Sequence, residues 1–123
     1  TLLSFDGGAY VYTQHVAEPH RLVMREDAST DALRHLLAQS RAFPKQNGNS
    51  RGTRKTRTKL TVDVEVAGVD GSTRVEPIVI NVDVAIPVGT ADATVAAAIY
   101  ELGFITQDAS FANLIKDGIL ADA

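Results

Sequence analysis

Polar and apolar positions alternate most sharply between Thr53 and Ala67, in the stretch TRKTRTKLTVDVEVA. Side chains along a strand point to opposite faces in turn. The even positions from Thr58 onward (Thr58, Leu60, Val62, Val64, Val66) therefore form an uncharged, largely apolar face. The odd positions (Lys55, Arg57, Lys59, Thr61, Asp63, Glu65) form an almost wholly charged one. This predicts a half-buried antiparallel strand with one face on a core and the other open to a polar partner. The open face begins basic and ends acidic, so the partner should meet its first half.

A second alternating run follows the Asp70-Gly71 turn. Its even positions Ile78, Ile80, Val82, Val84 and Ile86 are apolar, whereas Val79, Asn81, Asp83 and Ala85 occupy the odd ones. Pro77 would break a central ladder and is placed at the strand entrance; Pro87 closes the strand. Upstream, residues 1–17 read as an N-terminal β-hairpin around the Asp6-Gly7-Gly8 turn, with Pro19 ending its second strand. Arg21 to Arg25 offers a short further strand, and Glu26 to Asp31 an acidic, small-residue connection. Residues 31–43 fit two patterns. Leu33, Leu36 and Leu37 have helical spacing behind a Ser29, Thr30 or Asp31 cap, but Leu36, Ala38, Ser40 and Ala42 also alternate with His35, Gln39 and Arg41. The strand is preferred, because the turn-rich link from Pro44 to Gly52 would fold it back against the Thr53–Ala67 strand.

After Pro87 the period becomes helical. Thr90 or Asp92 can cap a helix carrying Val95, Ile99 and Leu102 on one face, with Gly103 near its end. A second helix can start after Asp108 or Ser110, bury Phe111, Leu114 and Ile115, and stop at Gly118. Strands first and helices last make an α+β domain: the hairpin at 1–17, an antiparallel sheet of about five strands within 20–87, and two C-terminal α-helices within 90–118.

A chain of 123 residues is expected to be a single domain with a real core. Its 45% hydrophobic and 22% charged residues are ordinary for a globular protein. No apolar run has the length of a membrane helix and no signal-peptide pattern opens the chain, so a soluble, membrane-free protein is expected. With no cysteine there is no disulfide framework and no thiolate chemistry. Charge changes the picture more. The net charge of −3 hides a stretch from Arg41 to Lys59 that holds seven basic residues and no acid. Such a concentration is the footprint of a phosphate-binding surface, the more so where it continues onto a regular strand face.

The chemistry of catalysis is missing from this pattern. His15, His20 and His35 are scattered without metal-ligand spacing, and no glycine-framed nucleophile elbow or phosphate loop occurs. Asp63, Glu65 and Asp83 read as charges on the wet face of a sheet rather than as a catalytic pair. Neither an enzyme nor a metal or other cofactor is expected.

The run Lys59-Leu60-Thr61-Val62-Asp63-Val64-Glu65-Val66, then Asn81-Val82-Asp83-Val84-Ala85-Ile86-Pro87, then two short helices, resembles the coat proteins of single-stranded RNA bacteriophages. The Lys45-Gln46-Asn47-Gly48 turn is similar to one in the Pseudomonas phage members. The resemblance implies the RNA phage coat protein fold in an interlocked dimer, with two sheets joined edge to edge and the helices of each subunit clasping the other. It further implies a virion protein, assembled in the bacterial host cytoplasm. Its dimers would build an icosahedral capsid whose inner sheet surface binds genomic RNA and, in many members, a translational-operator hairpin. By motif match, Thr61 and Asn81 fall where operator bases are contacted, and Arg57 and Lys59 where phosphates or sugars are met. Asp83 replaces the glutamate of an asparagine-x-glutamate pair, and Lys55 extends the basic row. Gln39, Arg41 and His35 are expected from the neighbouring strand. Two positions depart from the pattern. Asp63 stands where a lysine contacts RNA in well-known members, and Ala67 to Glu76 is shorter than the loop those members place around the shell's symmetry axes.

Two other readings compete with a capsid protein: a non-viral RNA-binding β-sheet module, and a plain dimerisation domain with an incidental basic loop. Cellular readers of single strands usually place aromatics on the sheet to stack bases. The odd positions of the two clearest strands carry none, which favours a surface led by phosphate contacts.

Overall fold

Two long strands carry the fold, each running for fifteen residues without interruption. The computed structural model describes residues 2–5, 10–26, 30 and 32–118, with side chains from residue 17 onward. Its strands are β1 (Leu2–Phe5), β2 (Tyr10–Glu18), β3 (Arg21–Glu26), β4 (His35–Ala42), β5 (Thr53–Ala67) and β6 (Thr73–Pro87). They form one antiparallel meander in the order β1-β2-β3-β4-β5-β6. The N-terminal hairpin is thus continuous with the sheet, Leu2 facing Thr13 and Phe5 facing Tyr10. Its expected glycine turn, and most of the acidic connection before β4, lie outside the described residues.

Residues 35–42 are a strand, and the competing helix does not form. Every residue of β4 is the Cα partner of one in β5, from His35 opposite Val62 to Ala42 opposite Lys55. This ladder settles a stretch whose local pattern allowed both states, since tertiary pairing outweighs a weak propensity.

Pro77 sits inside β6, not at its entrance, because the strand begins four residues earlier at Thr73. The ladder explains how it is tolerated. Asp63 directs its N–H to the Arg34 carbonyl on the β4 side, at 2.8 Å. Asp63 and Pro77 are therefore a non-hydrogen-bonded pair of the β5–β6 ladder, and the N–H that proline lacks would point away from β5. The same parity holds for Pro87, opposite Thr53. Both prolines fall on the outer side of an edge strand.

The face carrying the even residues of β5 holds a small core, Met24 and Leu37 with Leu22 and Leu60 against them. Val23 is buried on the other face, opposite Ala38. Among the described side chains these three (Val23, Met24, Leu37) are the buried hydrophobics. Farther along the even face, Ile78, Ile80 and Val82 of β6 remain exposed.

The chain divides into two compact units, Thr1–Val88 and Gly89–Ala123. The second contains α1 (Asp92–Gln107) and α2 (Ala109–Asp117). Neither Thr90 nor Asp92 caps α1. Ala91 is the N-cap residue, without a side-chain bond, and Asp92 lies in the first turn, where its charge suits the helix dipole. The helix also runs through Gly103 to Gln107. The α2 boundaries follow the expected signals: the Asp108 carboxylate accepts from the Ser110 N–H, and Gly118 takes a left-handed C-terminal conformation at φ 69°. Ile99, Leu102, Phe104 and Ile105 of α1 and Leu114 and Ile115 of α2 are exposed.

Candidate nucleic-acid interface

The register of β5 with β6 pairs odd residues with odd: Lys55 with Ala85, Arg57 with Asp83, Lys59 with Asn81 and Thr61 with Val79. Directly opposed residues share a face. The six side chains Lys55, Arg57, Lys59, Thr61, Asn81 and Asp83 consequently stand on one side of the sheet, five of them exposed and Thr61 half-buried. Lys59 and Asn81, a point charge and a planar amide, are direct neighbours.

Arg57 and Asp83 bond to each other. Nε lies 2.5 Å from Oδ1 and Nη2 lies 3.4 Å from Oδ2. The carboxylate of Asp83 raises the Arg57 pKa, first through the hydrogen bond and then through charge. The pair fixes the guanidinium plane in the middle of the cation row, with Lys55 and Lys59 exposed on either side.

The register of β4 with β5 pairs residues of opposite parity. Ala38 faces Lys59, Ser40 faces Arg57 and Ala42 faces Lys55. Small side chains from β4 therefore flank the cations, and a depression of about 420 Å³ lined by Ser40, Ala42, Lys55, Arg57, Asp83 and Ala85 among others opens there. Gln39, Arg41 and His35 do not join this face. They are opposite Thr58, Thr56 and Val62, on the side of the Leu60 core. The alternation within β4 distinguishes two residue sets, and the polar one expected beside the cations lies on the core side. The face is completed by the small set, whose only sequence signal is its lack of bulk.

Asp63 ends the row in a different environment. Its side chain is 5% exposed, and Oδ2 accepts from both the backbone N–H of Arg34 at 3.1 Å and its Nε at 2.9 Å. Oδ1 is buried without a hydrogen-bond partner. The donors of Arg34 hold the Asp63 carboxyl below the usual carboxylate range, against the opposing effect of burial. Where a lysine would extend the positive surface, this position is an internal tie between β5 and the start of β4.

No protein-family model and no curated protein sequence matches the chain. Solved structures do. The chain is similar to the virus-like particle protein of Beihai levi-like virus 32 at 20% identity and a TM-score of 0.79, covering 94% of this chain and 91% of that one. It is similar to the virus-like particle protein of bacteriophage AVE019 at 14% identity and a TM-score of 0.80, covering 99% and 96%. The bacteriophage EMS014 coat protein matches at 18% identity and a TM-score of 0.58, covering 92% and 71%. This chain has the fold of the single-stranded RNA phage coat proteins. Within that fold the β5–β6 connection is short. Asp70 accepts from the N–H and hydroxyl of Ser72 at 3.0 and 2.7 Å, and Gly68 and Ser72 close the turn through their backbones at 2.6 Å. At such low identity the shared feature is the backbone, held by alternating apolar positions that many sequences satisfy. No helix is long and apolar enough to cross a membrane, and no cluster of three or more histidine, cysteine or acidic side chains occurs among the described residues.

Proposed function

We propose that this chain is a structural virion protein that dimerises, assembles into an icosahedral shell and binds single-stranded RNA on the face of Lys55, Arg57, Lys59, Thr61, Asn81 and Asp83. The observation that carries the reading is the convergence of those six side chains on one open face of a sheet with the coat protein fold. It is a structural role, not an enzymatic one, exercised in the virion after assembly in a bacterial host cytoplasm. A translational-operator hairpin is the further ligand. Asn81 can read a base edge in one plane, whereas Lys55 and Lys59 offer charge to any phosphate.

Dimerisation is supported by what the chain leaves uncovered. Among the described residues β6 is a fifteen-residue edge strand paired only with β5, and Ile78, Ile80 and Val82 on its even face are exposed. Proteins seldom leave a long flat edge of this kind without a cover. Neither helix has a buried residue of its own. A second copy joined at the β6 edge, with its helices clasping the first, would cover all three surfaces and complete a single coat-protein domain.

Size-exclusion chromatography of the purified protein, with absorbance read at 260 and 280 nm, tests the reading. A very large, nucleic-acid-rich particle is expected. A small RNA-binding species that never forms shells would point to a non-viral RNA module, and an RNA-free dimer to a dimerisation domain. Under conditions that keep dimers apart, three phosphate contacts from Lys55, Arg57 and Lys59 give a log–log salt slope of about −2 for single-stranded RNA.

A further inference from the structure

We propose that Phe43, with Arg41 and His20 beside it, is a stacking platform for an unpaired RNA base at the rim of the sheet. The proposal rests on the RNA-binding reading above and adds to it a contact of a different kind. Phe43 follows Ala42, the last residue of β4, and is 65% exposed. Its exposed ring is nevertheless held in place. The guanidinium carbon of Arg41 lies 5.3 Å from the ring centroid, and the His20 ring meets it at 4.9 Å and 88°, an edge-to-face contact. Arg41 is itself fixed, since its Nη2 donates to the Pro19 carbonyl at 3.0 Å and its backbone N–H to the His20 carbonyl at 3.0 Å. Three flat groups are thus held together at the end of the sheet.

Phenylalanine, histidine and arginine planes are the groups on which proteins stack splayed RNA bases, and such stacking tolerates any base. The charge agrees. Phe43 lies within the acid-free stretch from Arg41 to Lys59, and Glu18, which lines the depression beside His20, is opposite Arg21 in the ladder. The path agrees as well. Ala42 is the Cα partner of Lys55, the first cation of the row, so a strand followed along Lys59, Arg57 and Lys55 reaches the rim at Phe43. Arg41 lies on the opposite face of the sheet from that row, so RNA must turn over the rim to reach the platform. A protein partner would be expected to meet apolar neighbours around an exposed ring. Here the ring's contacts are one guanidinium and one imidazole, which suits a polyanion with flat bases.

The experiment uses the whole protein and a short single-stranded RNA carrying 2-aminopurine, a base whose fluorescence falls when it stacks. Wild type should bind and quench. Phe43→Leu should bind about tenfold more weakly or worse and lose the quenching, with its salt slope unchanged because no charge is altered. Phe43→Tyr, which keeps a ring face, should retain both. The thermal midpoint of each variant should match wild type, since the ring is exposed. Wild-type affinity and quenching in Phe43→Leu would overturn the platform while leaving the cation row intact. An unquenched wild type that still binds RNA would do the same. A wild type that binds no RNA would overturn the reading beneath it. Loss of dimers or shells in Phe43→Leu, with RNA binding kept, would assign the ring to contact with a second copy instead.

Discussion

Arg57 and Asp83 face each other with their side chains more than half exposed, so water screens the pair and its effect is on geometry rather than stability. It aims one guanidinium along a surface where Lys55 and Lys59 carry exposed charges. Replacing Arg57 and Lys59 together by alanine should flatten the salt slope of RNA binding by more than one unit; an unchanged slope would remove this face from the interaction. Asn81→Ala should reduce discrimination between a cognate hairpin and a scrambled one while leaving non-specific packaging nearly intact. Competition between the two RNAs measures this, and full retained preference would move base reading elsewhere. Asp63 makes a pH-dependent contribution of known sign. Its folded pKa is depressed by Arg34, so the tie stabilises fully above the ordinary carboxylate value of about 3.9 and is lost as pH falls through the lower folded value. Asp70 and Asp108 are depressed by Ser72 and Ser110 and act in the same window. The comparison is therefore with Asp63→Asn. Urea midpoints should show wild type ahead of the variant at neutral pH, with the gap closing in acid; a gap independent of pH would mean that the tie is steric.

At the scale of elements, the β4–β5 connection matters most, because it sets which face of β4 meets the cation row. Its two arms are drawn together. Asn47 and Ser50 bridge through both backbone bonds at 2.9 Å, and Gly52 lies so close to Lys45 that a Cβ would fall 2.4 Å from the Lys45 carbonyl oxygen. Gly52 also has φ +94°, a region that L side chains rarely adopt. Gly52→Ala should therefore lower stability by at least about 1–3 kcal/mol in equilibrium denaturation. Gly48→Asn, at φ +57° with open space around it, should be tolerated. Equal losses in the two variants would show that the close approach at Lys45 does not constrain the loop. The prolines of β6 act at the same scale. With Pro77 and Pro87 lacking outward donors, an edge partner would take its N–H bonds from the positions of the same parity between them, Val79 to Ala85.

For the whole molecule, the decisive quantity is the apolar surface that one chain leaves open on β6 and on both helices. Burying large side chains such as Ile99, Leu102 and Phe111 against a second copy would contribute roughly 1.5–3 kcal/mol each. Leu102→Asp should then abolish soluble dimer, as read by light scattering. A well-folded dimer carrying that substitution would show that α1 takes no part in association.

Alternation determined the apolar and charged faces of β5 from Thr58 onward and the apolar face of β6 from Ile78 onward, and residue type alone the acid-free basic stretch. Local chemistry likewise marked Asp108 and Gly118 as the ends of α2. The meaning of β4 needed the tertiary structure. Its own pattern separates Ala38, Ser40 and Ala42 from Gln39 and Arg41, but which set joins Lys59 depends on register with β5. A shift of one residue would exchange the two faces, and the closure of the Lys45–Gly52 loop fixes that shift. The same dependence hid the burial of Asp63 and the tolerance of Pro77. In both cases the deciding factor is the direction of a backbone N–H toward a strand distant in sequence, which side-chain pattern does not encode.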